Sequence, residues 1–168
     1  PKHIVMIGYT HYSTDARIRR EAEALSAHGY DVSMITLRQQ EEPRTYTLEG
    51  VTVVETNIAK YQGKHNYAYM LSYIRFMLRV FIKMPALLLK GKIDAVHVHN
   101  MPDFLIFAAA LPKMLGKKLT LDIHDSIPET YSSKFSNNNK LLFKLLCWEE
   151  RVCCRFAHQV ICVNHPQK

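Results

Sequence analysis

The sequence predicts an α/β fold, in which a doubly wound and mostly parallel sheet of six strands has helices between its strands. Two observations predict this fold class. Short apolar runs recur along the chain, and most of them alternate with longer amphipathic segments. The chain has 168 residues, of which 48% are hydrophobic, so it can bury one substantial core. We therefore expect a single domain over residues 1–168.

The first strand is predicted at residues 4–8, an unbroken apolar run of the kind that a strand buried on both faces requires. A polar loop follows at residues 9–14. The next segment carries apolar residues on one face, begins with Thr14 or Asp15 as a cap and stops at Gly29. These signals predict a helix.

The later segments continue this alternation. The second and third strands are joined by a polar segment that contains Pro43 rather than by a helix. The remaining elements are predicted in this order: strand 32–37, strand 50–55, a long helix at 66–90, strand 93–99, a helix at about 102–115, strand 119–124, a helix from Asn137–Asn139 to about 156, and strand 159–163.

Composition indicates where in the cell the protein resides and what kind of partner it binds. No apolar stretch reaches about eighteen residues and the chain leads directly into a strand, so we expect a soluble, cytoplasmic protein. Four cysteines lie in the last quarter without the spacing of a disulfide framework or a zinc site, and we expect them to be reduced. The net charge of +7 indicates an anionic partner, whether a membrane surface, nucleic acid or a phosphorylated small molecule.

Candidate site residues lie at the carboxyl ends of three strands. In the usual strand order 3-2-1-4-5-6, the first, fourth and fifth strands are neighbours, and ligands bind beyond their carboxyl ends. The polar residues at these ends are Gly8, Tyr9, Thr10 and His11 after the first strand, His99 and Asn100 after the fourth, and His124 and Asp125 after the fifth. We expect them to meet in one cleft.

The histidines at these ends leave alternatives open. His97 and His99 point to the same face of a strand. Either they form a pair of metal ligands, which His124 or Asp125 could complete, or one of them is a histidine of the core. His124 and Asp125 either face the cleft or pack and cap locally. Glu129 either accepts hydrogen bonds from sugar hydroxyls or ends its loop.

Two common nucleotide-binding motifs are missing. The first turn has only Gly8 in place of G-x-G-x-x-G, and the second strand ends in Leu37 and Arg38 rather than in an acid, which argues against a nicotinamide oxidoreductase. No G-x-x-x-x-G-K-[ST] occurs, which argues against a P-loop NTPase.

Three segments together resemble glycosyltransferase family 4. Residues 14–25 (TDARIRREAEAL) and 29–32 (GYDV) resemble the D-x-R-[VI]-x-R-E-A-x-x-L…G-[YH]-x-V opening of that family. Residues 94–103 (DAVHVHNMPD) and 121–129 (LDIHDSIPE) agree with later parts of it. The resemblance implies that the chain is the N-terminal, Rossmann-like half of a GT-B glycosyltransferase.

The resemblance also implies a function. The N-terminal domain would bind a glycan or lipid-linked acceptor, and a C-terminal domain, absent from this chain, would hold a nucleotide-sugar such as a UDP- or GDP-sugar. The reaction would retain anomeric configuration, need no bound metal or cofactor, and serve surface polysaccharide or glycolipid synthesis. The chain alone should not catalyse transfer.

Site residues follow from the same resemblance. His124 would touch the donor sugar, and the loop from Gly8 to Thr14 would approach phosphates or acceptor. From its place beside His124 at the same strand end, we expect Asp125 to be the second catalytic residue. We also expect four further residues to bind substrate, namely Arg17, His99, Asn100 and Glu129.

The predicted helix at residues 66–90 suggests one further partner, an anionic membrane surface. Arg75, Arg79 and Lys83 form one basic stripe, and the apolar arc beside it is wider than one contact with a sheet requires. The helix is therefore either a core helix with a solvated stripe or a peripheral surface at the inner face of the cell membrane.

Two other function classes stay open. One is a metal-dependent hydrolase that uses His97, His99 and Asp125. The other is a non-catalytic module that binds anionic surfaces. We expect no nucleic acid partner, because aromatic residues interleaved with basic clusters on an exposed sheet are not evident.

Overall fold

The computed structural model describes residues 1–39, 41, 44–63, 65–126, 128 and 140–162. The strands are β1 (His3–Ile7), β2 (Asp31–Arg38), β3 (Thr45–Leu48), β4 (Val51–Ala59), β5 (Ile93–His99), β6 (Lys118–Ile123) and β7 (Gln159–Cys162). The helices are α1 (Ala16–Ala27), α2 (Asn66–Lys90), α3 (Ala110–Met114) and α4 (Lys140–Phe156), with a 3-10 helix η1 (Asp103–Ala109) before α3.

Within the described residues, one sheet has the order β3-β4-β2-β1-β5-β6-β7. All neighbouring strands are parallel except β3 and β4. The predicted fold class and the predicted order of strands are therefore confirmed. The predicted number of six strands was wrong, because β3 pairs antiparallel with β4 through a tight turn. Both turn residues, Glu49 and Gly50, have positive φ angles of 48° and 77°, the geometry that favours a two-residue hairpin.

The two faces of the sheet carry different layers. Alternate residues of β1 point to opposite faces, so Met6 packs with α1 while Val5 and Ile7 pack with α2 and η1. The helix α2 buries Phe76, Val80 and Met84 completely, at intervals of four residues. The larger core therefore lies on the α2 side, and α1 covers only part of the other face.

Two predicted helices differ from the structure. The helix expected at about residues 102–115 is a 3-10 helix from Asp103, followed by the short α3. Its first turn holds the side chain of Asp103, which is fully buried. The last helix begins at Lys140, and the cap predicted at Asn137–Asn139 lies outside the described residues.

Asp103 is expected to make folding depend on pH. Burial, followed by the neighbouring Glu149 carboxylate, raises the pKa of Asp103 from 3.8 to about 7. In the unfolded chain this carboxyl ionises near its ordinary pKa, so the folded state holds the extra proton between about pH 4 and 7 and loses stability as pH rises through that window.

Between pH 5 and pH 8 we expect ionisation of Asp103 to lower the free energy of unfolding by up to about 3 kcal/mol, and we expect Asp103→Asn to abolish this loss. Urea denaturation at both pH values measures this loss. Asp31→Asn, at the exposed start of β2, should leave the pH dependence as it is. An unchanged slope in Asp103→Asn would contradict the prediction.

Candidate active site

A cleft of about 270 Å³ lies beyond the carboxyl ends of β1, β5 and β6. The structure brings the ends of these three strands together at one place, as predicted. The lining residues are Gly8, Tyr9, Thr10, Asp15, Arg17, Ile18, Lys60, Tyr69, Tyr73, Asn100, Met101, His124 and Asp125.

Asn100 joins the loop after β5 to the loop after β6. Its side-chain oxygen accepts a hydrogen bond of 2.9 Å from the backbone N–H of His124, and its amide donates one of 2.7 Å to the backbone oxygen of Asp125. These two bonds fix the backbone that carries both candidate catalytic residues. Asn100 therefore positions His124 in addition to lining the cleft.

Replacing Asn100 with alanine is expected to lower the free energy of unfolding by about 1–3 kcal/mol, because two backbone groups lose their partners. Chemical denaturation measures this loss. The control is Asn57→Ala, at an exposed position of β4, which we expect to be nearly neutral. Equal effects of the two variants would contradict the role of Asn100.

Tyr9 ties the first loop to α2. Its hydroxyl lies 2.6 Å from the hydroxyl of Ser72 and accepts a hydrogen bond of 3.3 Å from the backbone of Tyr61. Its ring packs edge-on against Tyr73, with centroids 4.5 Å apart, and against Phe76. The loop that forms one wall of the cleft is thus held by a packed aromatic group.

Elements around the cleft supply charge to its lining. Asp15 caps α1 by accepting from the backbone N–H groups of Arg17 and Ile18, and it also accepts from the hydroxyl of Thr10 at 3.1 Å. Arg17, in the first turn of α1, and Lys60, directly after β4, supply positive charge to the lining. Two cations at one side of the cleft can bind an anionic group.

Behind the cleft lies a buried group of histidines and carboxylates. The Nε2 atom of His124 lies 3.3 Å from Oδ2 of Asp122 and 3.2 Å from Nδ1 of His99, which lies 3.3 Å from the same Oδ2. Glu21 approaches from α1, with Oε2 3.9 Å from His99 Nδ1. One ligand atom from each of these four residues falls within 4.8 Å of the others, so the group can hold a metal ion.

Burial controls ionisation in this group. It lowers the pKa of His99 to about 4, and it also lowers the pKa of His124. Burial alone would raise the pKa of Asp122, but its contacts with the imidazoles of His97 and His99 outweigh burial and hold that pKa below its usual value. The Asp122 carboxylate therefore faces two imidazoles, those of His99 and His124, that burial keeps neutral at neutral pH.

Seven of the ten predicted site residues line the cleft, namely Gly8, Tyr9, Thr10, Arg17, Asn100, His124 and Asp125. His11 and His99 do not. The expected ligand-facing position of His99 was wrong, because its side chain is 0% exposed and lies under His124. His11 follows the same loop but is not part of the lining. Glu129 lies outside the described residues.

Six lining residues were not predicted as part of the site: Asp15, Ile18, Lys60, Tyr69, Tyr73 and Met101. Lys60 was missed because the strand predicted at residues 50–55 extends to Ala59 in the structure, which places Lys60 at its carboxyl end. Tyr69 and Tyr73 lie four residues apart on α2, and their place in the cleft depends on how that helix packs. Asp122, which organises the buried histidines, reads in the sequence as one polar position in an apolar strand.

The metal site suggested by His97, His99 and Asp125 is not assembled. The rings of His97 and His99 stack, with centroids 4.5 Å apart, as their spacing on a strand predicts. However, the four-residue group found among the described residues contains Glu21 and Asp122, and Asp125 is not a member. Asp125 instead lies in the cleft lining.

Solved structures with the same fold are glycosyltransferases. Sucrose-phosphate synthase from Thermosynechococcus elongatus aligns with a TM-score of 0.73 and 14% identity, over 99% of this chain and 43% of that protein. A UGT transferase from Siraitia grosvenorii in complex with UDP aligns with a TM-score of 0.64 and 10% identity, over 96% and 44%. MurG from Acinetobacter baumannii aligns with a TM-score of 0.51 and 15% identity, over 96% and 41%.

The chain thus spans less than half the length of these proteins, which share its GT-B N-terminal fold. A search of curated protein sequences found no significant match. The family model described as Glycosyltransferase Family 4 matches residues 16–168, which is nearly the whole chain. The chain therefore belongs to glycosyltransferase family 4.

Proposed function

We propose that this chain is the acceptor-side domain of a retaining glycosyltransferase. The enzyme moves a sugar from a nucleotide-sugar, such as a UDP- or GDP-sugar, to a glycan or lipid-linked acceptor in surface polysaccharide or glycolipid synthesis. The observation that carries the proposal is the cleft in which His124, Asn100 and the loop after β1 meet, in a chain of this family.

The size of the cleft fits a shared site. Small-molecule sites usually have volumes of about 300–1,000 Å³, and this cleft, at about 270 Å³, lies just below that range. A nucleotide-sugar therefore needs a second wall. A C-terminal domain of the same protein supplies that wall and grips the nucleotide diphosphate.

His124 is the residue that contacts the transferred sugar. Its Nε2 atom faces Asp122 and His99, which leaves the other ring nitrogen for a sugar hydroxyl. In the transfer, the bond between the anomeric carbon and the diphosphate oxygen breaks, and the acceptor oxygen bonds to that carbon. The acceptor proton leaves with the diphosphate, whose charge is balanced by cationic side chains and not by a metal.

A second groove gives the acceptor an approach. It has a volume of about 400 Å³, lies between the end of β4 and the start of α2, and shares Lys60 with the cleft. Its lining includes Tyr61, Gln62 and Arg75, which can hydrogen-bond to hydroxyl or phosphate groups. A glycan or a lipid phosphate entering here reaches the cleft past Lys60.

The test uses the full-length protein that contains this chain, incubated with a panel of UDP- and GDP-sugars and with glycan and lipid-phosphate acceptors. Product formation followed by mass spectrometry identifies donor and acceptor. NMR of the new anomeric carbon then reports stereochemistry. Inversion would contradict the retaining mechanism, and the absence of any turnover or nucleotide-sugar binding would contradict the function.

The surface of α2 supports a peripheral membrane location at the inner face of the cell membrane. Arg75 and Arg79 are exposed, and so are apolar side chains on either side of them. The exposed apolar residues of α2 include Met70, Leu71, Ile74, Leu78, Phe81 and Ile82, with exposures from 37% to 65%. An apolar strip that carries cations is typical of helices at a bilayer interface. None of the described helices has the length and apolar character needed to cross a bilayer.

We expect the triple variant Arg75→Glu, Arg79→Glu, Lys83→Glu to lose sedimentation with anionic liposomes, because each basic residue contributes about 1 kcal/mol near an anionic surface. The control makes the same charge change at Lys2, Lys92 and Lys118, which precede or begin β1, β5 and β6 at the other end of the sheet. Equal losses in both variants would mean that net charge, not this helix, drives binding.

A further inference from the structure

We propose that Glu21, His99, Asp122 and His124 form a binding site for one divalent transition-metal ion, of which zinc fits best. The site lies at the buried base of the cleft. The geometry of these four side chains defines the site, which does not depend on the proposed transfer reaction.

Three ligand atoms form a nearly equilateral triangle. Nδ1 of His99, Nε2 of His124 and Oδ2 of Asp122 are separated by 3.2, 3.3 and 3.3 Å. Zinc bonds to nitrogen and carboxylate oxygen are about 2.0–2.1 Å long, and the edge of a tetrahedron around such an ion is therefore about 3.3 Å. The triangle has the size of one face of a four-coordinate zinc site.

Hydrogen bonds alone do not satisfy this triangle. Each neutral imidazole nitrogen either carries a proton or offers a lone pair. If both nitrogens donate to Asp122, two N–H groups face each other at 3.2 Å; if one donates to the other, a lone pair faces the carboxylate. A cation at the centre accepts all three lone pairs at once.

Glu21 supplies the fourth ligand from a different element. Its Oε2 lies 3.9 Å from Nδ1 of His99, and its side chain is 38% exposed, so a rotation of the side chain is enough to bring it to the ion. The three other side chains are between 0% and 8% exposed and are held by β5, β6 and the turn that follows β6. Three ligands are thus held rigidly and the fourth can adjust its position, an arrangement that suits a structural metal site.

Charge and chemistry also match. Two neutral imidazoles and two carboxylates neutralise a divalent ion, and this mixture of nitrogen and oxygen ligands suits zinc and its first-row neighbours.

The ion has a route to the site that avoids the cleft. A hollow of about 690 Å³ lies on the α1 side of the sheet, and Glu21, His97 and Asp122 are part of its lining. His124 lines the cleft on the other side. A metal bound here sits behind His124 and would fix the orientation of its ring while leaving the cleft open.

The test measures metal and not transfer. The full-length protein is stripped with EDTA, dialysed and titrated with zinc sulfate, with stoichiometry by elemental analysis, affinity by competition with a chromophoric chelator, and thermal unfolding with and without zinc. We expect one zinc ion per chain and a rise in melting temperature. Because outer-shell partners already change affinity by about 10- to 100-fold, Asp122→Asn should weaken binding at least 100-fold.

Two further variants keep the test decisive. Glu21→Gln changes a partly exposed ligand and should fold even if Asp122→Asn does not, with weaker zinc binding and unchanged melting temperature of the metal-free protein. Asp103→Asn, a buried carboxylate outside the group, should bind zinc as the parent does. The proposal fails if the parent binds no stoichiometric zinc, or if the Glu21 and Asp122 variants bind it with parental affinity. Those results would leave the glycosyltransferase proposal untouched.

Discussion

The full-length enzyme should lose about 100- to 1000-fold in kcat when His124 is replaced by alanine. His124 lies at the end of β6, lines the cleft, and is held by the backbone bond to Asn100 and by the contact with Asp122. A preorganised polar group at the reacting sugar usually contributes a rate factor of that size. The measurement is steady-state transfer with the donor identified by the panel above.

The second measurement for this variant is calorimetric binding of the nucleotide alone, which should stay close to the parent if the diphosphate is held by the C-terminal domain, as proposed. His28→Ala is the control, since His28 is exposed at the end of α1, away from the cleft lining, and its Nδ1 atom lies 2.7 Å from the backbone oxygen of Ala24. If the His124 variant kept the turnover of the parent enzyme, His124 would have no role in the transfer step.

Replacing Phe76 with alanine should lower the free energy of unfolding by about 3–5 kcal/mol. Phe76 is 0% exposed, belongs to the core between α2 and the sheet, and packs edge-on against Tyr9 at 5.5 Å. The loss combines transfer of the ring to water with the cavity left behind. Urea denaturation followed by circular dichroism measures it.

Phe81→Ala is the matched control, because it removes the same ring from the same helix at a position that is 43% exposed. We expect a loss below about 1 kcal/mol there. If the two variants were equally destabilised, the inward face of α2 would be placed incorrectly. The Phe76 variant should also loosen the first loop, since Tyr9 loses one of the rings that hold it.

The sequence was sufficient to predict the central sheet. The strand β1 reads as a nearly continuous apolar run, as expected for a strand in the middle of the sheet, whereas β5 interleaves apolar residues with Asp94, His97 and His99. The alternation of such strands with helices leaves few possible orders. The strand β3 was missed for the opposite reason. It is a short edge strand with half-exposed residues, and its identity depends on the hairpin turn at Glu49 and Gly50.

The candidate site was only partly predictable. Strand ends located Gly8, Asn100 and His124, because the carboxyl ends of parallel strands meet at one edge. The sequence does not show how deeply a residue at a strand end is buried. His99 was therefore expected in the cleft, although it lies beneath it. The positions of Tyr69 and Tyr73 in the cleft lining depend on the packing of α2, which cannot be predicted from a local sequence pattern.

The helix α2 borders the candidate cleft and also carries an exposed basic stripe. Tyr73 faces the cleft and Arg79 faces outward, and six residues of helix correspond to a rise of only about 9 Å. If this helix rests on a bilayer, the sugar-transfer chemistry takes place within about two helical turns of the lipid headgroups. A membrane-embedded acceptor would then need to raise only its phosphate and first sugar from the surface, while its tail stays in the lipid.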